Sequence, residues 1–566
     1  MSLRSSGVFG YTPKWFCRTL LCRFYKAKNE PVLLHKPGSG ERQELDNTLT
    51  SMLSKSPYNI PICIDSQEES SRELRRHILP FEHSKTLANF YYATEEQIKR
   101  AIESCLAARK NWCRTSFYER AKIFLRAADL VGDKRRMELL ASTILGQGKT
   151  IFQAEIDAAA ELADFLRFNV QFASEALEYQ PISTEDAKNE YIYRPTEGFW
   201  AAIPPFNFTA IAGNLASAPA LMGNVVVWKP SDTAVYSNYL VYRLFREAGL
   251  PPGVINFVPA DGPTFGKVVC EHSQLAGINF TGSTKTFRSI LKTIGNNVDK
   301  YCGYPRTIGE CEAALGTIRS SFEYSGQKCS ACSRLYVPES LWPRFKNLLL
   351  DHYKQLKVGS PLESDTFTSA VIDKNAFNKI SDYLQYASSS PDIEVVAGGH
   401  GDDGVGYYIQ PTILKTKNPT DKLMKEDIFG PIVTAYLYRE NEIDKILDLV
   451  NSTTQYALTG SIFAQDEEFI KFATDRLIDT TGNFYVNVQS TGSVVGQQPF
   501  GGARLSGTND KAGGPQYTLR FTSPLSIKTQ FFLVFTVMDF HKERNEMNEI
   551  ALSLKLLSNV RTGFAY

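Results

Sequence analysis

Over residues 94–178 apolar positions recur at helical spacing between charged ones, from Glu95-Glu96-Gln97-Ile98 onward. From Ala154 to Phe168, alanine, leucine and phenylalanine fall on one side, so this region is predicted to be helical. The pattern then shortens to a two-residue alternation in Glu190-Tyr191-Ile192-Tyr193-Arg194-Pro195, which predicts a strand, and with its flanks a projecting arm over about 180–197. From Trp200 β-rich runs alternate with helical segments. The runs are Trp200 to Ile203, Val225 to Trp228, Ile255 to Val258 and Gly277 to Phe280, the last ending in Thr281-Gly282-Ser283 before a helix through Lys292. Strands alternating with helices predict an α/β fold with a parallel, doubly wound sheet, whose strand-to-helix loops are where nucleotides bind. A second α/β region is predicted from about Arg319 to Gly507, with strands at Leu335-Tyr336-Val337, Ile432-Val433-Thr434 and Asn483 to Asn487.

Composition adds one asymmetry. The chain of 566 residues is 43% hydrophobic and 22% charged, with a net charge of only +1, so no nucleic-acid footprint spreads over its surface. Arg4, Lys14, Arg18, Arg23, Lys26 and Lys28 precede the first acid, Glu30; removing those six cations leaves about −5 on the remainder. A basic, acid-free, hydroxyl-containing start with Trp15, Phe16, Leu20 and Leu21 reads as a mitochondrial presequence over residues 1–29. Ten cysteines are too sparse for a disulfide scaffold and are read as thiols. The longest apolar run, Phe531 to Phe540, is short of the ~20 residues a membrane span needs and contains Asp539.

The sharpest local signal is Gly326-Gln327-Lys328-Cys329-Ser330-Ala331-Cys332-Ser333-Arg334. A thiolate is a strong nucleophile, and a cation such as Lys328 or nearby backbone N–H groups lower its pKa; a buried structural thiol is the plain alternative. Cys329 and Cys332 also form a C-x-x-C pair, which leaves a thiol-redox role open. No second such pair and no H-x-x-x-H accompanies it, so no metal site is expected. Pro204-Pro205-Phe206-Asn207-Phe208 follows a strand, where an amide can donate to an oxyanion or simply form a turn. Lys229-Pro230-Ser231-Asp232 suits ribose hydroxyls or a solvated turn. Thr281-Gly282-Ser283 suits a pyrophosphate or an ordinary helix cap. Gly262 to Lys267 echoes a phosphate loop with the wrong glycine spacing and is set aside.

Taken in order, these pieces resemble the aldehyde dehydrogenase superfamily over roughly residues 60–525. The matching stretches are Pro205-Phe206-Asn207, Lys229-Pro230-Ser231, Phe280-Thr281-Gly282-Ser283, Gly309-Glu310-Cys311, Gly326 to Cys329, Ile428-Phe429-Gly430-Pro431 and Pro499-Phe500-Gly501-Gly502. Ala201-Ala202-Ile203, Lys328 to Arg334 and Thr491 to Gln498 are similar to the branch that oxidises glutamate γ-semialdehyde to glutamate in the mitochondrial matrix. The resemblance implies an NAD-binding domain over 50–310 interrupted by the arm, a catalytic domain over 311–507 and an oligomerisation strand over 508–530. It implies Cys329 as nucleophile, Asn207 as oxyanion donor and Glu310 as general base. Lys229, Gly282, Ser283, Thr284, Lys285, Thr286, Pro204, Asp427 and Phe429 would hold NAD, and Ser330, Gly492 and Ser493 the substrate. The implied assembly is a homo-oligomer acting on a small aldehyde, with no nucleic acid and no membrane span.

Three departures from the family pattern stand out. Glu310 and Cys329 are 19 positions apart in the numbering, about fifteen short of the family spacing, or one strand and a helical turn or two. Glu312-Ala313-Ala314-Leu315 stands where the family has Gly-Gly and an apolar strand. Losing a buried strand costs ~5 kcal/mol or more, against a total stability of ~5–15 kcal/mol. The alternative expectation is therefore an impaired chain serving as a non-catalytic oligomer subunit. Asp427 replaces the family's Glu, and residues 531–566 diverge altogether.

Overall fold

The computed structural model describes residues 25–311 and 317–530. The divergent tail and the presequence up to residue 24 lie outside the described residues. Among the described residues two units emerge: residues 25–176 with 195–522, and residues 177–194 with 523–530.

The first sheet of the larger unit has seven strands: β1 (Ile62–Ile64), β2 (Gln67–Glu69), β3 (Phe199–Ile203), β4 (Val226–Trp228), β5 (Ile255–Phe257), β6 (Leu275–Gly282) and β7 (Arg306–Cys311). Its order is β7-β6-β3-β4-β5-β1-β2, parallel from β7 to β5. β3 to β6 are almost wholly buried, as continuous apolar runs such as Phe199-Trp200-Ala201-Ala202 demand. The predicted strands of this region are all present to within two residues.

The helices over 94–178 are present too. The last is irregular: a π-helical stretch, Glu155–Glu161, runs into α1 (Leu162–Leu177). Widening the turn there rotates the acids Glu155, Asp157 and Glu161 onto inward faces. Asp157 accepts from the backbone N–H groups of Thr209 (3.0 Å) and Ala210 (2.8 Å), capping α2 (Thr209–Leu221), and from Lys149 Nζ (2.8 Å). That cap fixes the loop carrying Asn207.

The second sheet comprises β8 (Arg334–Pro338), β9 (Ile393–Ala397), β10 (Thr412–Thr416) and β11 (Ile432–Tyr438), in the order β8-β11-β10-β9. A separate parallel pair joins β12 (Thr459–Ile462) and β13 (Asn483–Val486). Ser333 accepts from Thr434, and Glu339 donates to Tyr438, so the odd-numbered residues of β8 face β11. The backbone groups of Arg334 and Tyr336 therefore point away from it. Leu458 and Ile462 accept from Asn483 and Asn487, so those of Thr459 and Ser461 point away from β13. These two outward edges line one cleft, and neither has a second strand partner among the described residues.

The expected oligomerisation strand over 508–530 is shorter than the sequence suggested. Only Thr522–Gln530 is a strand, paired with Ala187–Pro195. Residues 508–521 instead turn back against β6 and β7: Thr508 N donates to Gly309 O (2.8 Å), and Tyr517 meets Asn279. The end of the presequence stretch is also packed, with Ala27 N donating to Gln171 (2.7 Å) and Asn29 to Asp164 (2.7 Å).

The edge geometry makes a direct prediction. Amide exchange read residue by residue should find the N–H groups of Tyr336 and Ser461 at least about tenfold less protected than those of their ladder-bonded neighbours Leu335 and Gly460. Equal protection across each strand would show both edges to be paired.

Candidate active site

The site is built where the carboxyl ends of β6 and β7 meet the turn before β8. Glu310 lies near the end of β7, held by an antiparallel bridge to Gly507, while Gly309 N donates to Thr508 Oγ1 (3.1 Å). Cys329 arrives through a left-handed turn, Tyr324-Ser325-Gly326, with φ of 51°, 52° and 66°. A Cβ at Gly326 would lie 2.3 Å from the Gly430 carbonyl oxygen, so the close approach of the two loops requires glycine there. Ser325 N donates to Thr368 Oγ1 (2.7 Å), and Tyr324 Oη to Gln147 O (2.9 Å), fixing the turn.

Both reactive groups line one cavity of about 320 Å³, within the range of small-molecule sites. The Cys329 thiol acts on the Glu310 carboxyl, holding its pKa down. Burial raises the Glu310 carboxyl to about 7, against opposing effects of Lys511 and the Cys329 contact. A base poised near neutral pH suits proton transfer in both directions. The short connection after Glu310 has not separated acid from thiol.

Asn207 is buried and is not among the residues that line the cavity. Its Nδ2 donates to the Gln327 carbonyl (3.1 Å), two residues before Cys329, using one of its two N–H groups. Lys328 has a different part from the one its neighbour position suggested. Its Nζ pairs with Glu323 (2.8 Å), itself paired with Arg319 (2.7 Å), so the positive charge beside the thiol is largely neutralised. Cys329 and Cys332 are thiols rather than a disulfide and pack in different apolar clusters, Cys329 with Leu458 and Phe500, Cys332 with Phe322 and Val433. That separation disfavours a redox pair.

Ser330, Thr491, Gly492 and Ser493 line the same cavity, with Glu161 and Phe165. Ser330 Oγ and Thr491 Oγ1 are 2.6 Å apart, and Ser493 donates to the Gln498 carbonyl. Phe208, Ile211, Leu215 and Phe500 supply apolar walls. Burial, with Asp157 adding, raises the Glu161 carboxyl to about 8. Glu161 and Lys511 escaped the sequence reading. An acid inside a helix that is otherwise apolar on its inner side was the available signal for Glu161; Lys511 had none, since only the fold brings it to Glu310.

The expected cofactor residues gather at the carboxyl edge of the first sheet: Pro204 after β3, Lys229 after β4 and Gly282 at the end of β6. Ser283 caps α3 (Thr284–Asn296), its Oγ accepting from Thr286 N (3.2 Å), which satisfies the plain helix-cap reading. The first-turn N–H groups of Thr284 and Lys285 have no partner within the helix and remain suited to an anion. Lys229 Nζ contacts the Pro230 carbonyl (3.2 Å) with Asp232 at 3.8 Å. Asp427 and Phe429 do not line the cavity. The Asp427 carboxylate, raised by burial to about 6, accepts from Phe429 N–H, and the Phe429 ring packs edge-on against Phe206.

A family model described as "Aldehyde dehydrogenase family" matches residues 67–527. The chain belongs to the aldehyde dehydrogenase family. Among relatives of this aldehyde dehydrogenase, the mitochondrial delta-1-pyrroline-5-carboxylate dehydrogenase of Danio rerio is 50% identical, the match covering 93% of this chain and 97% of the relative. That of Homo sapiens is 51% identical, with 89% and 92% covered. The crystal structure of the Mycobacterium tuberculosis enzyme bound with NAD superposes with a TM-score of 0.87 at 41% identity, over 91% of this chain and 97% of that one.

The electrostatics yield a sign. Lys511 holds the Glu310 carboxyl down, so Lys511→Met moves the ionisation of Glu310 to higher pH, by roughly one unit for a nearby charge. The limb of turnover rate that rises through about pH 7 should shift upward with it. An unshifted profile separates that limb from Glu310.

Proposed function

We propose that this chain oxidises glutamate γ-semialdehyde, the open form of 1-pyrroline-5-carboxylate, to glutamate, with NAD as oxidant, in proline catabolism. The observation that carries the reading is that the Cys329 thiol and the Glu310 carboxyl, poised near 7, line one cavity. The relatives named above and the mixed apolar and polar lining of the cavity support the substrate.

Glu310 takes the thiol proton and passes it to solvent, and the Cys329 sulfur adds to the aldehyde carbon, forming a C–S bond while the C=O π pair becomes the oxyanion. Asn207 and the Cys329 backbone N–H would hold that oxyanion. NAD, when bound, accepts the hydride that leaves this carbon. Lys229 would hold its adenosine ribose, Gly282 with the first turn of α3 its pyrophosphate, and Pro204, Asp427 and Phe429 the nicotinamide side. The thioester left on Cys329 is then cleaved by water, whose proton passes to Glu310, and the thiolate departs as the acid forms. Ser330, Gly492 and Ser493 would grip the substrate's amino-acid end, and Glu161 would face its ammonium group.

The basic N-terminus and the mitochondrial relatives support a matrix location. Since Ala27 and Asn29 are packed into the fold, a presequence would end before Tyr25. The paired strands Ala187–Pro195 and Thr522–Gln530 would supply the contact of a homo-oligomer. A second reading, a poorly active subunit, draws support from the cleft between β8 and β12. The Cys329 side chain packs on Leu458, the residue before β12, so looseness there reaches the nucleophile.

Cys329→Ser should abolish NADH formation from the semialdehyde while NAD binding survives, and Asn207→Ala should lower kcat by about 100- to 1,000-fold. A Cys329→Ser enzyme that turns over normally overturns the assignment. Wild-type protein that binds NAD yet forms no NADH favours the subunit reading.

A further inference from the structure

The N-terminal segment reaches the substrate end of the cavity from outside. Asn29 spends its whole amide there: Nδ2 donates to Asp164 Oδ2 (2.7 Å) and to the Val495 carbonyl (2.9 Å), and Oδ1 accepts from Gln497 Nε2 (2.9 Å). Glu30 anchors the same strap. Its backbone N–H donates to Asp164 Oδ1 (2.7 Å), and its two carboxylate oxygens pair with Arg136 (2.7 Å) and Arg167 (2.5 Å). Arg136 also donates to Pro31 O (2.6 Å), and Leu33 N to Glu155 Oε1 (2.8 Å).

The two surfaces joined by Asn29 both contribute residues to the lining of the cavity. Asp164 sits on α1, one turn after Glu161 and beside Phe165, and both of those line the cavity. Val495 and Gln498 belong to the loop that also supplies Thr491, Gly492 and Ser493. Gly496, between the two bonds to Asn29, lies with its Cα against Phe168 of α1, where a Cβ would meet the ring at 2.3 Å. Nothing in this arrangement touches Cys329, Glu310 or Asn207.

We infer that Asn29, carried on the N-terminal strap, is a positioning residue that sets the spacing between α1 and the 491–498 loop, and thereby the selectivity for an aldehyde bearing an amino-acid end. The inference rests on the substrate reading above and extends it to a segment more than 460 positions away in sequence. A side chain that spaces two binding walls alters recognition of the group held between them and leaves the chemistry at the sulfur alone.

The test compares Asn29→Ala and Gln497→Ala with the wild-type full chain, using glutamate γ-semialdehyde and propanal as substrates. Gln497 is exposed, so its variant keeps the fold even where Asn29→Ala does not. The expected result is a KM for the semialdehyde raised about tenfold in Asn29→Ala and about threefold in Gln497→Ala, with kcat and the KM for propanal within about twofold of wild type. Unchanged KM values, or equal rises for both aldehydes, overturn the inference. Amide exchange over residues 494–498 gives a readout without turnover: at least about tenfold faster in Asn29→Ala if the strap holds the loop, unchanged if it does not. Should the wild type oxidise neither aldehyde, the substrate reading fails, while the exchange measurement still decides the strap.

Discussion

The chemistry depends on keeping a buried carboxyl and a thiol together in one cavity. Burial makes the Glu310 carboxyl reluctant to ionise, and the Lys511 ammonium and the thiol contact limit that reluctance, so it titrates near neutrality. The two groups come from different sheets. Glu310 ends a strand of the parallel sheet, and Cys329 ends a strained turn leading into the second sheet, wedged against Gly430. The rest of the architecture, from the Asp157 cap to the bridge between Glu310 and Gly507, keeps those two ends in register.

The connection between these groups is also where the sequence reads as shortened, with 19 positions from Glu310 to Cys329. The structure bears this at the active site better than expected, since acid and thiol still meet. The open edges lie instead between β8, at the end of the second sheet, and β12 of the separate pair, which present backbone groups to a shared cleft. Backbone donors and acceptors left without partners are costly in a protein interior. Cys329 packs against the residue that leads into β12, so the nucleophile lies close to this weak line.

Much of the fold was legible because the signals were local. Continuous apolar runs gave the buried strands β3 to β6, and the Pro-Phe-Asn, Gly-Glu-Cys and Gln-Lys-Cys stretches gave the three catalytic candidates by type and order. What escaped was set by distance. Lys511 reaches Glu310, and Asn29 reaches Val495, only after folding, and residues 508–521 fold back toward β7 although their sequence reads as an extension of an arm. Lys328 misled because a neighbour in sequence was taken as a neighbour in charge, whereas its partner is Glu323. The acids Glu155, Asp157 and Glu161 were visible as charges, yet a π-helical stretch, not a regular helix, decides which way they face.

The most direct measurement of the central claim is a rapid-mixing experiment on Glu310→Gln with the semialdehyde and NAD, following NADH and then the mass of the protein. The amide can take neither the thiol proton nor the proton of the attacking water, so the account predicts a slowed first step that yields at most one NADH per site, followed by arrest, with the acyl group that forms retained as a thioester on Cys329. Sustained turnover at the wild-type rate, with no acyl group on that sulfur, would contradict it.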